Sequence, residues 1–79
     1  MVCEATIILK VDKLIKAEIE RKLLRNKNVT SLYRIDNGYD FMLMTTHKGM
    51  FELEEFVERI DREFKLKSRD VYFIIEKRK

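Results

Sequence analysis

Two amphipathic helical stretches interleaved with four short strand-like runs, in the order β-α-β-β-α-β, predict an α+β domain built on one antiparallel sheet. Three observations carry this prediction. The period of the apolar residues switches from two to about 3.6 and back. An Asp-Asn-Gly turn joins the second and third strands into a hairpin. The 79 residues hold no proline, no repeat and no linker, so residues 1–79 form a single domain.

The first strand follows from Cys3, Ala5, Ile7, Leu9 and Val11 alternating with Glu4, Thr6, Ile8 and Lys10. Asp12 is placed to cap the next element. Lys13 to Asn26 carries Leu14, Ile15, Ile19, Leu23 and Leu24 at helical spacing and ends in the cluster Arg25 to Asn28. Val29 to Ile35 alternates again, with Val29, Ser31, Tyr33 and Ile35 on one side and Thr30, Leu32 and Arg34 on the other. Asp36, Asn37 and Gly38 turn the chain, because Asn and Gly accept positive φ at little cost. Tyr39 to Thr45 returns as the third strand, followed by a short loop from Thr46 to Gly49. Met50 to Phe64 places Leu53, Phe56, Val57, Ile60 and Phe64 on one helix face and acids and arginines on the other. Val71 to Glu76 closes the chain as the last strand.

The order β-α-β-β-α-β is the ferredoxin-like, or split βαβ, arrangement, a four-stranded antiparallel sheet with both helices on one face. The opposite face of such a sheet is polar in a soluble monomer. Here both parities of the strands are apolar: Ile7, Leu9, Phe41, Leu43, Phe73 and Ile75 on one, Ile8, Leu32, Met42, Met44, Tyr72 and Ile74 on the other. The second set is expected to be a dimer interface packed sheet to sheet, since an exposed patch of that kind exceeds what monomers tolerate. A chain this short buries only about 60% of its unfolded surface and gains from association.

Composition narrows the function. One cysteine, Cys3, allows no internal disulfide and fits a reducing, cytoplasmic setting. One histidine, His47, cannot build a Cys/His zinc cage, so no metal is expected. Charged residues make up 39% of the chain, with no glutamine, a balance like that of thermophile surfaces. The net charge of +3 is modest and concentrated at Lys77, Arg78 and Lys79, so no broad basic face for direct DNA binding is expected. The longest apolar run, Ala5 to Leu9, is too short for a membrane span. Cys3 has no histidine near it in sequence and the two glycines, Gly38 and Gly49, stand apart, so neither nucleophilic chemistry nor a phosphate loop is expected. We expect no enzyme, no catalytic residue and no cofactor.

The runs "ATIILKVD", "VTSLYRIDNGYDFMLMTT", "LEEFVERID" and "FIIE" together resemble the ligand-sensing C-terminal domain of the Lrp/AsnC, or feast/famine, regulators, often called the RAM domain. The most specific piece is the hairpin: the family shows Gly-x-Tyr-Asp before an apolar strand, and this chain has Asn37, Gly38, Tyr39, Asp40 and Phe41. Aligned on the Tyr-Asp pair, the family glycine falls on Asn37. Before the last strand the family often has threonines, where this chain has Ser68, Arg69 and Asp70. Family regulators carry an N-terminal helix-turn-helix, whereas Met1 opens here directly into the first strand, so a stand-alone sensing domain is expected.

The resemblance implies a homodimer with sheets face to face, extending in many members to a ring of dimers. It also implies an amino acid or related small effector at subunit contacts near the hairpin turn. The expected effector-binding residues are Asn37, Gly38, Tyr39 and Asp40, with Thr45 and Thr46 reaching the ligand from a subunit contact. In this reading the Asp40 carboxylate pairs with a ligand ammonium and loop N–H groups near Gly38 receive its carboxylate; a turn or edge role for Asp40 is the alternative. His47 is expected in a solvated loop, and Met42 and Met44 in the interface. Without a DNA-binding half, such a module acts on transcription through partners, for instance full-length Lrp/AsnC relatives. Two other readings share the strand order: an RRM-type RNA or single-stranded DNA binder, and an ACT-like regulatory domain. The first strand lacks the aromatics an RRM stacks bases on, and "YDFMLM" lacks its basic-Gly-aromatic pattern.

Overall fold

A computed structural model describes residues 2–79, and among these the elements follow the expected order: β1 (Cys3–Lys10), α1 (Lys16–Arg25), β2 (Val29–Arg34), β3 (Phe41–His47), α2 (Met50–Phe64) and β4 (Ser68–Phe73). The sheet order is β2-β3-β1-β4 and every neighbouring pair is antiparallel, which is the ferredoxin-like fold. No helix among the described residues is long and apolar enough to cross a membrane.

Asp12 begins the helical region as its side chain suggests: Oδ1 accepts from the Leu14 N–H at 2.9 Å, and one 3-10 turn (Lys13–Ile15) leads into α1. That tight turn takes Leu14 out of the phase of α1. Ile19 and Leu23 are buried, whereas Leu14 is 92% exposed and Leu24 also faces solvent, contrary to their expected place in the stripe. For α2 the expected residues Leu53, Phe56, Val57, Ile60 and Phe64 are all buried. They meet Ala5, Ile7 and Leu9 of β1 and Phe41 and Leu43 of β3 in the core between sheet and helices.

Strand β2 departs from simple alternation. The register pairs Val29 with Thr45 but Ser31 with Met44, so a bulge inserts one residue between them. Beyond the bulge every side chain changes face. Leu32 pairs with Leu43 and packs against the core, which corrects its expected place on the open face; Tyr33, opposite Met42, stands on that face instead. The open face therefore presents Ile8, Met42 and Met44 from the two central strands, flanked by Tyr33 on one edge and Tyr72 and Ile74 on the other. Four of these are well exposed: Tyr33 at 47%, Met44 at 37%, Tyr72 at 54% and Ile74 at 40%.

Two strand boundaries also shift. β3 runs two residues past Thr45 because Thr46 and His47 pair with Glu4 and Cys3, so His47 is a buried strand residue rather than a solvated loop residue. β4 starts at Ser68, since Ser68, Arg69 and Asp70 pair with Lys10, Leu9 and Ile8. It ends at Phe73; Ile74 adds one bond from its N–H to the Glu4 carbonyl at 2.9 Å, and Ile75 is exposed beyond it.

Candidate functional site

The hairpin turn is made by consecutive residues with positive φ, Asn37 at 82° and Gly38 at 88°. Asn37 thus holds the left-handed conformation that the family glycine would hold, and its N–H donates to Asp36 Oδ1 at 2.6 Å. Neither the Gly38 nor the Tyr39 N–H has an acceptor among the described residues, which leaves both amides open to solvent or a ligand. A Cβ at Gly38 would meet no atom within 4 Å, so the space beside the turn is open.

Asp40 sits below this turn as a clasp. Its N–H donates to the Leu9 carbonyl at 2.8 Å, its carbonyl accepts from Ile35 at 3.0 Å, and its Oδ2 accepts from the Val11 N–H at 2.8 Å. The other oxygen, Oδ1, pairs with Lys16 Nζ at 3.1 Å, and that ammonium lies 5.7 Å from the centre of the Phe41 ring. Burial pushes the Asp40 carboxyl upward, but the Val11 N–H and the Lys16 charge outweigh it and hold the group below the ordinary carboxylate value. Both carboxylate oxygens are therefore committed to the chain's own groups. Asp40 joins the end of β1 and the start of α1 to the hairpin.

Tyr39 crosses the end of the sheet and donates its hydroxyl to Asp70 Oδ2 at 2.8 Å. That bond raises the phenol above its ordinary value, so the proton stays on Tyr39. Asp70 stands opposite Ile8 on the open face, and so Tyr39 ties the hairpin loop to that face.

Together these groups border a cleft of about 590 Å³ lined by Lys10, Lys13, Lys16, Lys67, Asp12, Asp36, Gly38, Tyr39 and Asp40 among others. Of the residues singled out in the sequence, the fold gathers Gly38, Tyr39 and Asp40 on the cleft, with Asn37 in the turn above it. Thr45 and Thr46 are not brought there. β3 carries them to its far end, roughly 20 Å away along the strand. Thr45 is buried on the helix-facing side, with its Oγ1 2.9 Å from His47 Nε2. Thr46 and His47 border a second cavity of about 410 Å³ with Lys27, Lys48, Glu52 and Arg59. There the His47 ring tilts against Phe56 at 5.0 Å, and burial lowers its pKa against the opposing pull of Glu52.

The sequence reading missed the lysines of the first cleft. Lys10, Lys13 and Lys16 stand three apart across the strand-helix junction, a visible spacing, but Lys67 joins them only through the pairing of its N–H with the Lys10 carbonyl at 2.9 Å. Among the described residues no group of three or more His, Cys, Asp or Glu side chains is arranged to hold a metal ion.

With this geometry in view, comparison with known families is decisive: the profile of the Lrp/AsnC ligand binding domain matches residues 4–79. The chain belongs to the Lrp/AsnC family. Solved structures agree on the fold. An AsnC family transcriptional regulator from Agrobacterium tumefaciens superposes with a TM-score of 0.85 at 12% identity, over 98% of this chain and 52% of that one. A hypothetical protein from Pyrococcus horikoshii gives 0.81 at 22% identity, over 99% of this chain and 94% of that one. The siroheme decarboxylase NirDL gives 0.83 at 23% identity, over 94% of this chain but 25% of that one. This Lrp/AsnC domain thus spans about half the length of the Agrobacterium regulator, and nearly all of the Pyrococcus protein. No curated protein matches it.

Proposed function

We propose that this Lrp/AsnC domain is a non-enzymatic module that self-associates through its open sheet face and senses a small effector of the amino-acid class at the hairpin cleft. The observation that carries the reading is the cleft's position. It lies at the end of the sheet, bordered by a turn with two unengaged amides, and Tyr39 links it to Asp70 on the open face. Closure of a second sheet on that face places the cleft beside a subunit contact, where ligand occupancy and assembly are coupled. Asn37, Gly38 and Tyr39 contribute the turn and its amides, and Asp40 holds the floor rather than pairing with a ligand ammonium. Thr45 and Thr46 of the same protomer lie outside this cleft; any contribution from them comes from a neighbouring subunit.

The open face favours a second copy over nucleic acid. An RRM-type surface needs stacking aromatics on the two central strands, whereas Thr6, Ile8, Met42 and Met44 occupy those positions and the tyrosines stand on the edges. Both α-helices cover the sheet, and in this reading the domain influences transcription through partner regulators that join the assembly. Co-expression with a full-length Lrp/AsnC relative should then yield mixed assemblies. If none forms with any relative from the same cell, the partner route falls.

The experiment for the module itself is native mass spectrometry of the chain, alone and with each of the twenty amino acids. Assemblies with an even number of subunits that gain one ligand mass per subunit are expected. A species that takes up none of the twenty would overturn an amino acid as the effector.

A further inference from the structure

The charges around the hairpin cleft are unequally committed. Each of its three carboxylates has at least one oxygen engaged, Asp12 Oδ1 by the Leu14 N–H and Asp36 Oδ1 by the Asn37 N–H, and Asp40 has both engaged, by the Val11 N–H and Lys16. Of its four lysines only Lys16 has an ion-pair partner; Lys10, Lys13 and Lys67 have no carboxylate within 4.0 Å among the described residues. The unengaged Gly38 and Tyr39 amides add two donors to the same rim. A cleft with three unpaired ammonium groups and spare amide donors, and with its most buried acid fully engaged, favours negative charge.

We infer that the effector is a small dicarboxylate, an acidic amino acid or the corresponding oxo-diacid, and not a neutral amino acid. One carboxylate meets the turn amides and the other lies among Lys10, Lys13 and Lys67. This inference rests on the effector reading above and specifies its ligand. The amide analogue has the same shape but lacks the second charge, so glutamine and asparagine are the discriminating competitors.

The test is isothermal titration of the chain with glutamate, aspartate and 2-oxoglutarate against glutamine, asparagine and leucine. We expect at least one diacid to bind about tenfold or more tighter than its amide or the neutral side chain, one tenfold step being a modest discrimination for a charged contact. Raising salt from about 50 to about 500 mM should narrow the gap, because the lysines are exposed and screened. Lys13→Ala and Lys67→Ala should each weaken diacid binding by about three- to tenfold. Lys27→Ala, beside the far cavity, should leave it unchanged, and matching circular dichroism spectra would show all three variants folded. Equal affinity for glutamate and glutamine would overturn the inference while leaving the sensing role intact. Binding of no ligand in the panel would overturn both.

Discussion

Asp40 illustrates how a residue with the look of a ligand contact can be consumed by the fold. Its carboxylate satisfies the Val11 N–H, which β1 leaves unpaired where the chain turns toward α1, and it neutralises Lys16 over the Phe41 ring. Asp40→Asn keeps the shape but weakens both contacts, and should lower unfolding free energy by about 2 kcal/mol at pH 7, the usual range for a charge-assisted bond. Because the folded carboxyl titrates below its unfolded value, this contribution is present above about pH 4 and is lost as pH falls through the folded value. Urea unfolding of the two proteins should thus show a gap at pH 7 that narrows as pH falls below about 4. His47 gives the same sign by a different cause. Burial favours its neutral ring, so stability should decline as pH drops below about 6.5, where the unfolded imidazole takes a proton that the folded one refuses. His47→Leu should flatten the change in urea midpoint between about pH 7 and pH 5, an effect that Glu52 only partly opposes.

At the scale of elements, the strands and helices were legible in the sequence wherever one periodicity ran unbroken. Met50–Phe64 was read to the residue because five apolar positions keep one helical phase. β2 was not, because a bulge leaves no mark on an alternating pattern: Val29 and Leu32 differ in parity yet share the core side. Leu14 misled because it lies in the opening 3-10 turn, out of phase with α1, and Leu24 because it follows the buried Leu23 by one residue, about 100° round the same helix. The turn was legible, since Asn and Gly are the residues that adopt its two positive φ angles. The cleft was only half legible: its hairpin wall is one stretch of chain, whereas Lys67 lies 57 residues (67 − 10) beyond Lys10 in sequence and reaches the cleft through its pairing with that residue. The bulge yields a paired expectation. Leu32→Ala should lower unfolding free energy by about 2 kcal/mol without altering assembly, and Tyr33→Glu should impair assembly while shifting intrinsic stability by no more than about 0.5 kcal/mol. Denaturant titration combined with light scattering separates the two, and the opposite pattern would place Leu32 on the open face after all.

For the whole molecule, one small core lies between sheet and helices while the other sheet face remains apolar. The core takes the helix-facing side chains of β1 and β3; Ile8, Tyr33, Met42, Met44, Tyr72 and Ile74 are left outside it. At about 25 cal/mol per Å² of apolar surface, covering these side chains adds several kcal/mol to a chain whose own burial is marginal. Flexible methionines at the centre and tyrosines at the edges suit a surface that packs against its own twin. In the proposed reading, association here and recognition at the cleft would be parts of one device, because Tyr39 and Asp70 span the border between the two surfaces. The first measurement is sedimentation velocity of the wild-type chain beside Met44→Glu, which puts a charge at the middle of the open face. We expect the wild type to sediment as a dimer or an even multiple of its 9.6 kDa mass, and Met44→Glu as a folded monomer. A monomeric wild type, or a Met44→Glu variant that assembles just as well, would contradict closure of the sheet on a second copy.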